Sequence, residues 1–419
     1  MPSERTTVTE LGTALGMLGL GGIDAAVHSR TPVMHSLSPE MWDRMARLRA
    51  GGAYDAEFHA AWENGRAFLA AHDGLRGRLP AVVEWKGAGR APGDEVAPID
   101  LRVDHVYLVS CKYLSNILFN VSPAHVFDDL LTGGSARARS GRNGSEPGSR
   151  PGPAGADWYA EVAPGEYQQL YDTVRRAVLE VAGGAGSLVQ APRRAERSSG
   201  AARGGPGPAA SGAFALPGLG DEREALAGAS VVGVSGRGTV GVASAPRMLP
   251  ERASDLTTDQ RDALGAWLRA GWPDGAKAAY DRLSAAVASA SVTRWEAALH
   301  GEGGRGAGES MLWRLLRVGS APYFVLGSSA ARSLRLRIAT SWDWRQRYVL
   351  AAFTITPQRG GQPRVGWAAR VRDRATHESH EVTGHIEVRW SHGRFRGPPE
   401  AKGYLDTPHH VVPGYFTLA

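Results

Sequence analysis

Between residues 38 and 72, apolar residues recur at roughly the three- and four-residue spacing of a helix. In "SPEMWDRMARLRA", Ser38 is placed as an N-cap, Pro39 takes the first helical position and Glu40 follows it. "YDAEFHAAWENGRAFLAAH" continues the pattern with Phe58, Trp62 and Leu69, so residues 38–72 are predicted to be helical. The period then shortens to two. "LPAVVEWKG" predicts a short strand, "GAGRAPGDEVAP" a loop, and "IDLRV" and "HVYLVSCKY" two further strands. "LSNILFN" is predicted as a helical turn or short helix. "SPAHVFDDLL" begins another helix, capped by Ser122 with Pro123 behind it.

Periodicity stops in "GGSARARSGRNGSEPGSRPGPAG", which is too polar and too rich in glycine and proline to pack. The expected organisation is a first unit over 1–132, a flexible linker over 133–156, a helical segment over 157–190, a low-complexity linker over 191–220, a helical region over 221–309 and a β-rich C-terminal region over 310–419. Within the helical region Trp267, Tyr280, Leu283, Val287 and Trp295 are the expected core. After a helix around "SMLWRLLRVG", the runs "SLRLRIAT", "RYVLAAFTITP", "PRVGWAARVRD" and "EVTGHIEVRWSHGRF" predict an antiparallel meander of about four strands. The fold class expected is α/β (α+β), a mixed sheet flanked by helices with a β-rich antiparallel C-terminal region.

Composition changes this picture in three ways. At 419 residues and 42% hydrophobic content, the chain is long enough for two or three domains with a sizeable core. A formal net charge of +6 suits a polyanionic partner. The single cysteine, Cys111, excludes an intramolecular disulfide and a cysteine-cluster zinc site, which fits a reducing cytoplasm. "LGTALGMLGLGGIDAAV" lacks a basic segment before it and is interrupted by Asp24, so it does not read as a signal peptide. No run reaches the length of a membrane span.

The basic residues are unevenly chosen. Of 48, four are lysine: Lys86, Lys112, Lys277 and Lys402. Two of these lie within one 27-residue stretch, each beside apolar strand residues and close to acids. Residues two apart in a strand share a face, so Ser110 and Lys112 point one way and Val109 and Cys111 the other. A hairpin from "IDLRV" into "HVYLVSCKY" brings Asp100 toward Lys112, and Glu84 and Lys86 share a face one strand earlier. Phosphodiester hydrolysis uses groups of this kind. Carboxylates hold Mg²⁺ or Mn²⁺, hard cations that prefer oxygen. The metal polarises the phosphate and acidifies an attacking water. Lysine, a compact cation with a shiftable pKa, orients that water or stabilises the charged transition state.

The order helix, strand, loop, Asp-bearing strand, Lys-bearing strand, helix resembles the PD-(D/E)xK nuclease superfamily, the restriction-endonuclease-like fold. The matching residues are Pro98-Ile99-Asp100 and Ser110-Cys111-Lys112, within roughly residues 55–132. The resemblance implies metal-dependent cleavage of DNA, with Asp100 as a metal ligand, Lys112 as the catalytic lysine and a homodimer as the working unit. It also implies, by analogy alone, a role against foreign DNA. Ser110 stands where the family has its second acid. Glu84 is the first substitute for that carboxylate and Glu63, on the preceding helix, the second. A rival alignment uses Asp73 with Glu84-Trp85-Lys86. Two plainer readings stay open: a surface Asp100–Lys112 pair on an ordinary strand, and a DNA-binding or adaptor protein on a decayed nuclease fold.

In the C-terminal strands Arg335, Arg337, Arg370, Arg372, Arg389 and Arg394 alternate with apolar residues near Trp342, Trp344, Trp367 and Trp390. This resembles a surface for phosphates and stacked bases. His377, His380, His385 and His392 match no zinc spacing, and a hairpin with solvated histidines is expected there. The glycine-rich stretches near Gly19 and from Gly233 lack the ending of a phosphate-binding loop and are expected to be ordinary loops.

Overall fold

In a computed structural model the structure describes residues 3–87, 99–113, 117–129, 157–183, 248–300, 306–329 and 332–419. Both proposed linkers and the stretch from Gly233 lie wholly or largely outside the described residues. Helix α1 (Glu4–Gly16) is followed by α2 (Ile23–Ser29), strand β1 (Met34–His35), α3 (Pro39–Ala50) and α4 (Asp55–Ala70). Strands β2 (Val83–Trp85), β3 (Leu101–Val103), β4 (Tyr107–Tyr113) and β5 (Ile117–Val121) come next. The described helices continue with α5 (Trp158–Val162), α6 (Pro164–Gly183), α7 (Thr258–Trp267), α8 (Ala276–His300) and α9 (Ala307–Leu316). The C-terminal part holds β6 (Tyr323–Ser329), β7 (Arg332–Ile338), α10 (Ser341–Arg347), β8 (Tyr348–Gln358), β9 (Arg364–Asp373), β10 (Ser379–Arg389), β11 (Glu400–Leu405) and β12 (Tyr415–Thr417).

The mixed α/β class is borne out. Seven strands form one sheet in the order β1-β2-β3-β4-β6-β7-β12, parallel at β1·β2 and β4·β6 and antiparallel elsewhere. The β-rich C-terminal region is an antiparallel sheet in the order β5-β11-β10-β9-β8. The strands do not follow the boundaries drawn at 132 and 310. "SLRLRIAT" becomes β7 and completes the first sheet, β5 crosses to the second, and Glu400–Leu405 supplies a meander strand that the alternation reading left out. "LSNILFN" is a strand over its described part rather than a helical turn. Its Phe119 ring lies over Gly403 of β11, where any Cβ would overlap it, so pairing with β11 overrides the local helical preference.

The N-terminal apolar run that carried no assigned element is α1. Ser3 caps it by accepting from the Thr6 amide at 3.2 Å. Thr9 and Thr13 donate their hydroxyls to carbonyls one turn back, so their polar atoms can be buried. The helix lies against α4 through small residues. A Cβ on Gly12 would come 2.9 Å from the Ala61 Cβ, and one on Gly16 or Gly65 would overlap the backbone of the other helix. Together these helices cover one face of the first sheet, burying Val8, Leu11, Leu15, Phe58 and Phe68 on Val83, Leu101, Val109, Phe324 and Leu326. The opposite face, with Tyr323, Val325, Leu336 and Ile338, meets the core shared by the second sheet and α8, where Leu283, Val287 and Trp295 are buried.

Asp373 ties the end of β9 to α10. Its carboxylate accepts from Arg347 at 2.9 Å and from the Ala375 and Thr376 amides at 2.8 and 3.2 Å. Arg347 first, then these amides, hold its pKa at about 2, below the ordinary 3.8. A depressed carboxylate contributes its stability above the unfolded value and loses it as pH falls through the folded one. Asp373→Asn is therefore expected to melt below wild type at neutral pH. The gap in thermal midpoint should narrow as pH falls from about 4 toward 2. A pH-independent gap would show that the charge plays no part.

Candidate active site

The β3–β4 hairpin turns at Asp104 and His105, both with positive φ (49° and 61°), as a tight hairpin turn requires. Leu101 pairs with Val109, which fixes the register. Asp100 immediately precedes β3 and is stitched to both neighbours: its amide donates to the Val109 carbonyl and its carbonyl accepts from Lys86, each at 3.0 Å. Its carboxylate is thereby held over β4. Asp100 Oδ2 accepts from the Cys111 amide at 2.6 Å and from the Ser110 hydroxyl at 3.2 Å. Asp100, set opposite Ser110 across the hairpin, is the charge that most favours the Lys112 ammonium. Burial nevertheless pushes the Lys112 pKa down, and Arg317 adds to that.

A second carboxyl reaches this place from α1. Glu10 is buried and accepts from the Trp85 indole at 2.7 Å. Its pKa is raised to about 8, by burial first and by the Asp100 charge second, with Lys112 acting in the opposite direction. Glu10, which the alternation of the strands does not single out, is thus an acid that responds to both Asp100 and Lys112. Glu84 faces away from α1, because its neighbours Val83 and Trp85 point into the N-terminal core. It contacts His105 at 2.9 Å, Lys86 at 3.1 Å and Arg102 at 3.9 Å; burial raises its pKa, but its partners, Lys86 foremost, bring it below the ordinary value. Lys86 is thus engaged with Glu84. Glu63 is exposed on α4. The rival alignment does not assemble either. Asp73 lies beside Arg337 of β7 at 3.4 Å, four strands or about 19 Å across the sheet from β2.

Ser110, in the acid's position, is fully buried and acts as a donor to Asp100. Cys111 points into the N-terminal core beside Thr13, and burial pushes its thiol well up. On the far side of β4, Lys112 lines a small cavity with Arg317, Tyr323, Val325, Ile338, His409 and Tyr415. Gly327 of β6 is paired with Lys112, and a Cβ there would overlap the Lys112 carbonyl. Asp100, Ser110 and Lys112 thus belong to the face of the sheet that turns away from α1, while Glu10 comes from the α1 side with Trp85. Among the described residues no three histidine, cysteine or acidic side chains cluster as a metal site. Mg²⁺ commonly takes one or two carboxylates from a protein; Asp100 would supply one, and Glu10, protonated at neutral pH, would have to lose its proton to supply another.

The six arginines do not form one nucleic-acid face. Arg335 donates to Asn64 at 3.0 Å, and Arg337 lies over Phe416 between Asp73 and Asp343. Arg389 pairs with Glu387, and Arg394 stacks on Trp272 while donating to the Leu268 carbonyl. Arg370 and Arg372 remain exposed on β9. Trp344 and Trp367 are buried and Trp390 sits in an aromatic cluster, so packing rather than base stacking explains them. Of the histidines, His385 is held by Asp406 at 2.9 Å and stacked on Tyr404, and His392 pairs separately with Glu400. Among the described residues no helix is long and apolar enough to cross a membrane. Comparison with protein families, curated proteins and solved structures returns no match for this chain.

Proposed function

We propose that the protein is a metal-dependent endonuclease acting on DNA, with Asp100 and Glu10 holding Mg²⁺ or Mn²⁺ and Lys112 serving the reaction. The observation that carries this reading is the β3–β4 hairpin, which sets the Asp100 carboxylate on Ser110 and the Cys111 amide, next to Lys112 on the same strand. Helices on a mixed sheet support the resemblance to the PD-(D/E)xK superfamily. Its catalytic pair comes from the motif, while Glu10 replaces the acid that Ser110 lacks. A bound cation supplies charge for the phosphate and acidifies water. The chain's own contribution is positional. Ser110 and the Cys111 amide fix the Asp100 carboxylate, Trp85 fixes Glu10, and Lys112 presents a cation to developing negative charge.

A second reading, a DNA-binding protein on a decayed nuclease fold, is favoured by Ser110 itself, whose hydroxyl occupies an Asp100 oxygen. A plasmid-nicking assay separates the two. Wild type with Mg²⁺ or Mn²⁺ is expected to cleave, and chelation to stop it. Lys112→Met is expected to lower the rate by about 10²-fold or more. Glu10→Gln keeps an oxygen for the Trp85 hydrogen bond. It is expected to fold normally and to need more metal for the same rate. Tight DNA binding by wild type without cleavage in either metal would favour the binding protein.

A further inference from the structure

Tyr323 opens β6, far beyond the β3–β4 hairpin in sequence, yet it comes to rest beside it. β6 pairs in parallel with β4, Leu108 opposite Tyr323 and Ser110 opposite Val325. Ser110 and Tyr323 therefore lie on one face of the sheet, diagonal to each other, a separation that an aromatic side chain spans. Both are buried, Ser110 completely. The Tyr323 and Ser110 hydroxyls are hydrogen-bonded to each other. Burial above all pushes the phenol pKa up to about 12, with Arg317 opposing and Asp100 adding to the rise, so the phenol keeps its proton at neutral pH.

The direction of these bonds follows from counting protons. A carboxylate can only accept, so Ser110 gives its one proton to Asp100 Oδ2, at 3.2 Å. Ser110 then accepts from Tyr323. The chain runs from phenol to serine to carboxylate, and the Cys111 amide closes on the same carboxylate oxygen at 2.6 Å. A serine side chain by itself has three staggered rotamers. The bond from Tyr323 favours the one that meets Asp100. Buried tyrosines need a partner for the hydroxyl. Tyr159, Tyr171 and Tyr415 meet that need at the Val388, Pro250 and Leu316 carbonyls. Tyr323 instead reaches a side chain that itself fixes the carboxylate of the candidate site.

We propose that Tyr323 is a positioning residue for the reaction, holding the Ser110 hydroxyl so that it aims the Asp100 carboxylate. The inference rests on the nuclease reading for the task that Asp100 performs, whereas the hydrogen-bonded chain stands on the structure alone. It also gives the serine in the acid's place a use: Ser110 passes the position of β6 on to Asp100.

The test is a double-mutant cycle of Tyr323→Phe and Ser110→Ala in the full chain. Each substitution removes one oxygen and no carbon, so the core stays packed. The first readout needs neither metal nor DNA. The chain has one cysteine, so isotope-labelled cysteine gives a single amide resonance, that of Cys111. Tyr323→Phe is expected to move this resonance when Ser110 is present and to leave it in place when residue 110 is alanine. The second readout is single-turnover plasmid nicking with Mg²⁺ or Mn²⁺. Tyr323→Phe is expected to slow it about tenfold, the usual cost of losing a group that orients a metal ligand, and to slow Ser110→Ala no further. Tyr171→Phe loses a tyrosine-to-carbonyl bond elsewhere in the core and is expected to change neither readout. A tyrosine that served packing alone would act equally in both backgrounds. That result, or an unmoved resonance, would overturn the proposal. A coupled resonance in a protein that cuts no DNA would remove the nuclease reading and leave Tyr323 as the support of Asp100. Cutting by Tyr323→Phe at the wild-type rate would remove this inference and leave the nuclease reading.

Discussion

Asp100→Asn is expected to reduce metal-dependent DNA cleavage by about 10²-fold or more while leaving the protein folded. The asparagine oxygen can still accept from Ser110 and the Cys111 amide, so the β3–β4 geometry persists. What disappears is the negative charge. A charge-assisted hydrogen bond is worth roughly 1.5–3 kcal/mol against about 1 kcal/mol for a neutral one, so the stability loss should be modest. The functional loss is larger because two effects coincide. A carboxylate donor for the cation is gone, and Lys112 loses the neighbour that sustains its charge against burial and Arg317. Asp100→Ala is a harsher change, leaving the Cys111 amide without its acceptor. Single-turnover plasmid nicking beside a thermal melt separates chemistry from folding. Wild-type cleavage by Asp100→Asn, with loss on Lys86→Ala, would move the reaction to the Glu84–Lys86 pair.

Gly65→Ala is expected to destabilise the fold by about 3 kcal/mol, at the upper end of ordinary overpacking, because the new methyl would meet backbone on α1. A Cβ at Gly65 would overlap the Thr13 carbonyl and lie 2.8 Å from the Gly16 Cα. Neither atom can rotate away as a side chain could, so α1 must lift from α4. Glu10 travels with it, and the added methyl should lower nuclease activity even under conditions where the variant stays folded. Gly165→Ala is the control. It also lies in a helix, but a Cβ there meets nothing within 4 Å, so that variant should keep wild-type stability or gain up to about 1 kcal/mol. Urea unfolding of the three proteins reads the difference. A wild-type midpoint for Gly65→Ala would contradict the close crossing of these helices.

Legibility in the sequence followed the range of the interactions involved. Asp100 and Lys112 could be brought together from the alternation of "HVYLVSCKY" and a short turn, because both strands are local to one hairpin. Glu10 could not, since its place depends on a helix crossing set by Gly12, Gly16 and Gly65. The hint lay in "TELGTALG", where an acid sits one turn from small residues at four-residue spacing. The arginine stripe failed for a related reason. Alternation reported correctly that these side chains leave the core of their own strand, but not that Asn64, Asp73, Glu387 and Trp272 would come from elsewhere to engage them. The helical reading of "LSNILFN" gave way to a strand partner almost three hundred residues downstream.

The order of strands in the first sheet also bears on how the candidate site assembles during synthesis. The Asp100–Lys112 hairpin emerges from the ribosome early. Its parallel neighbour starts at Tyr323, Arg317 shortly precedes that strand, and His409 comes last. Until then the strand bearing Lys112 has an open edge and the cavity has no far wall. A half-made chain therefore holds Asp100 and Lys112 on a hairpin that still lacks its β6 partner.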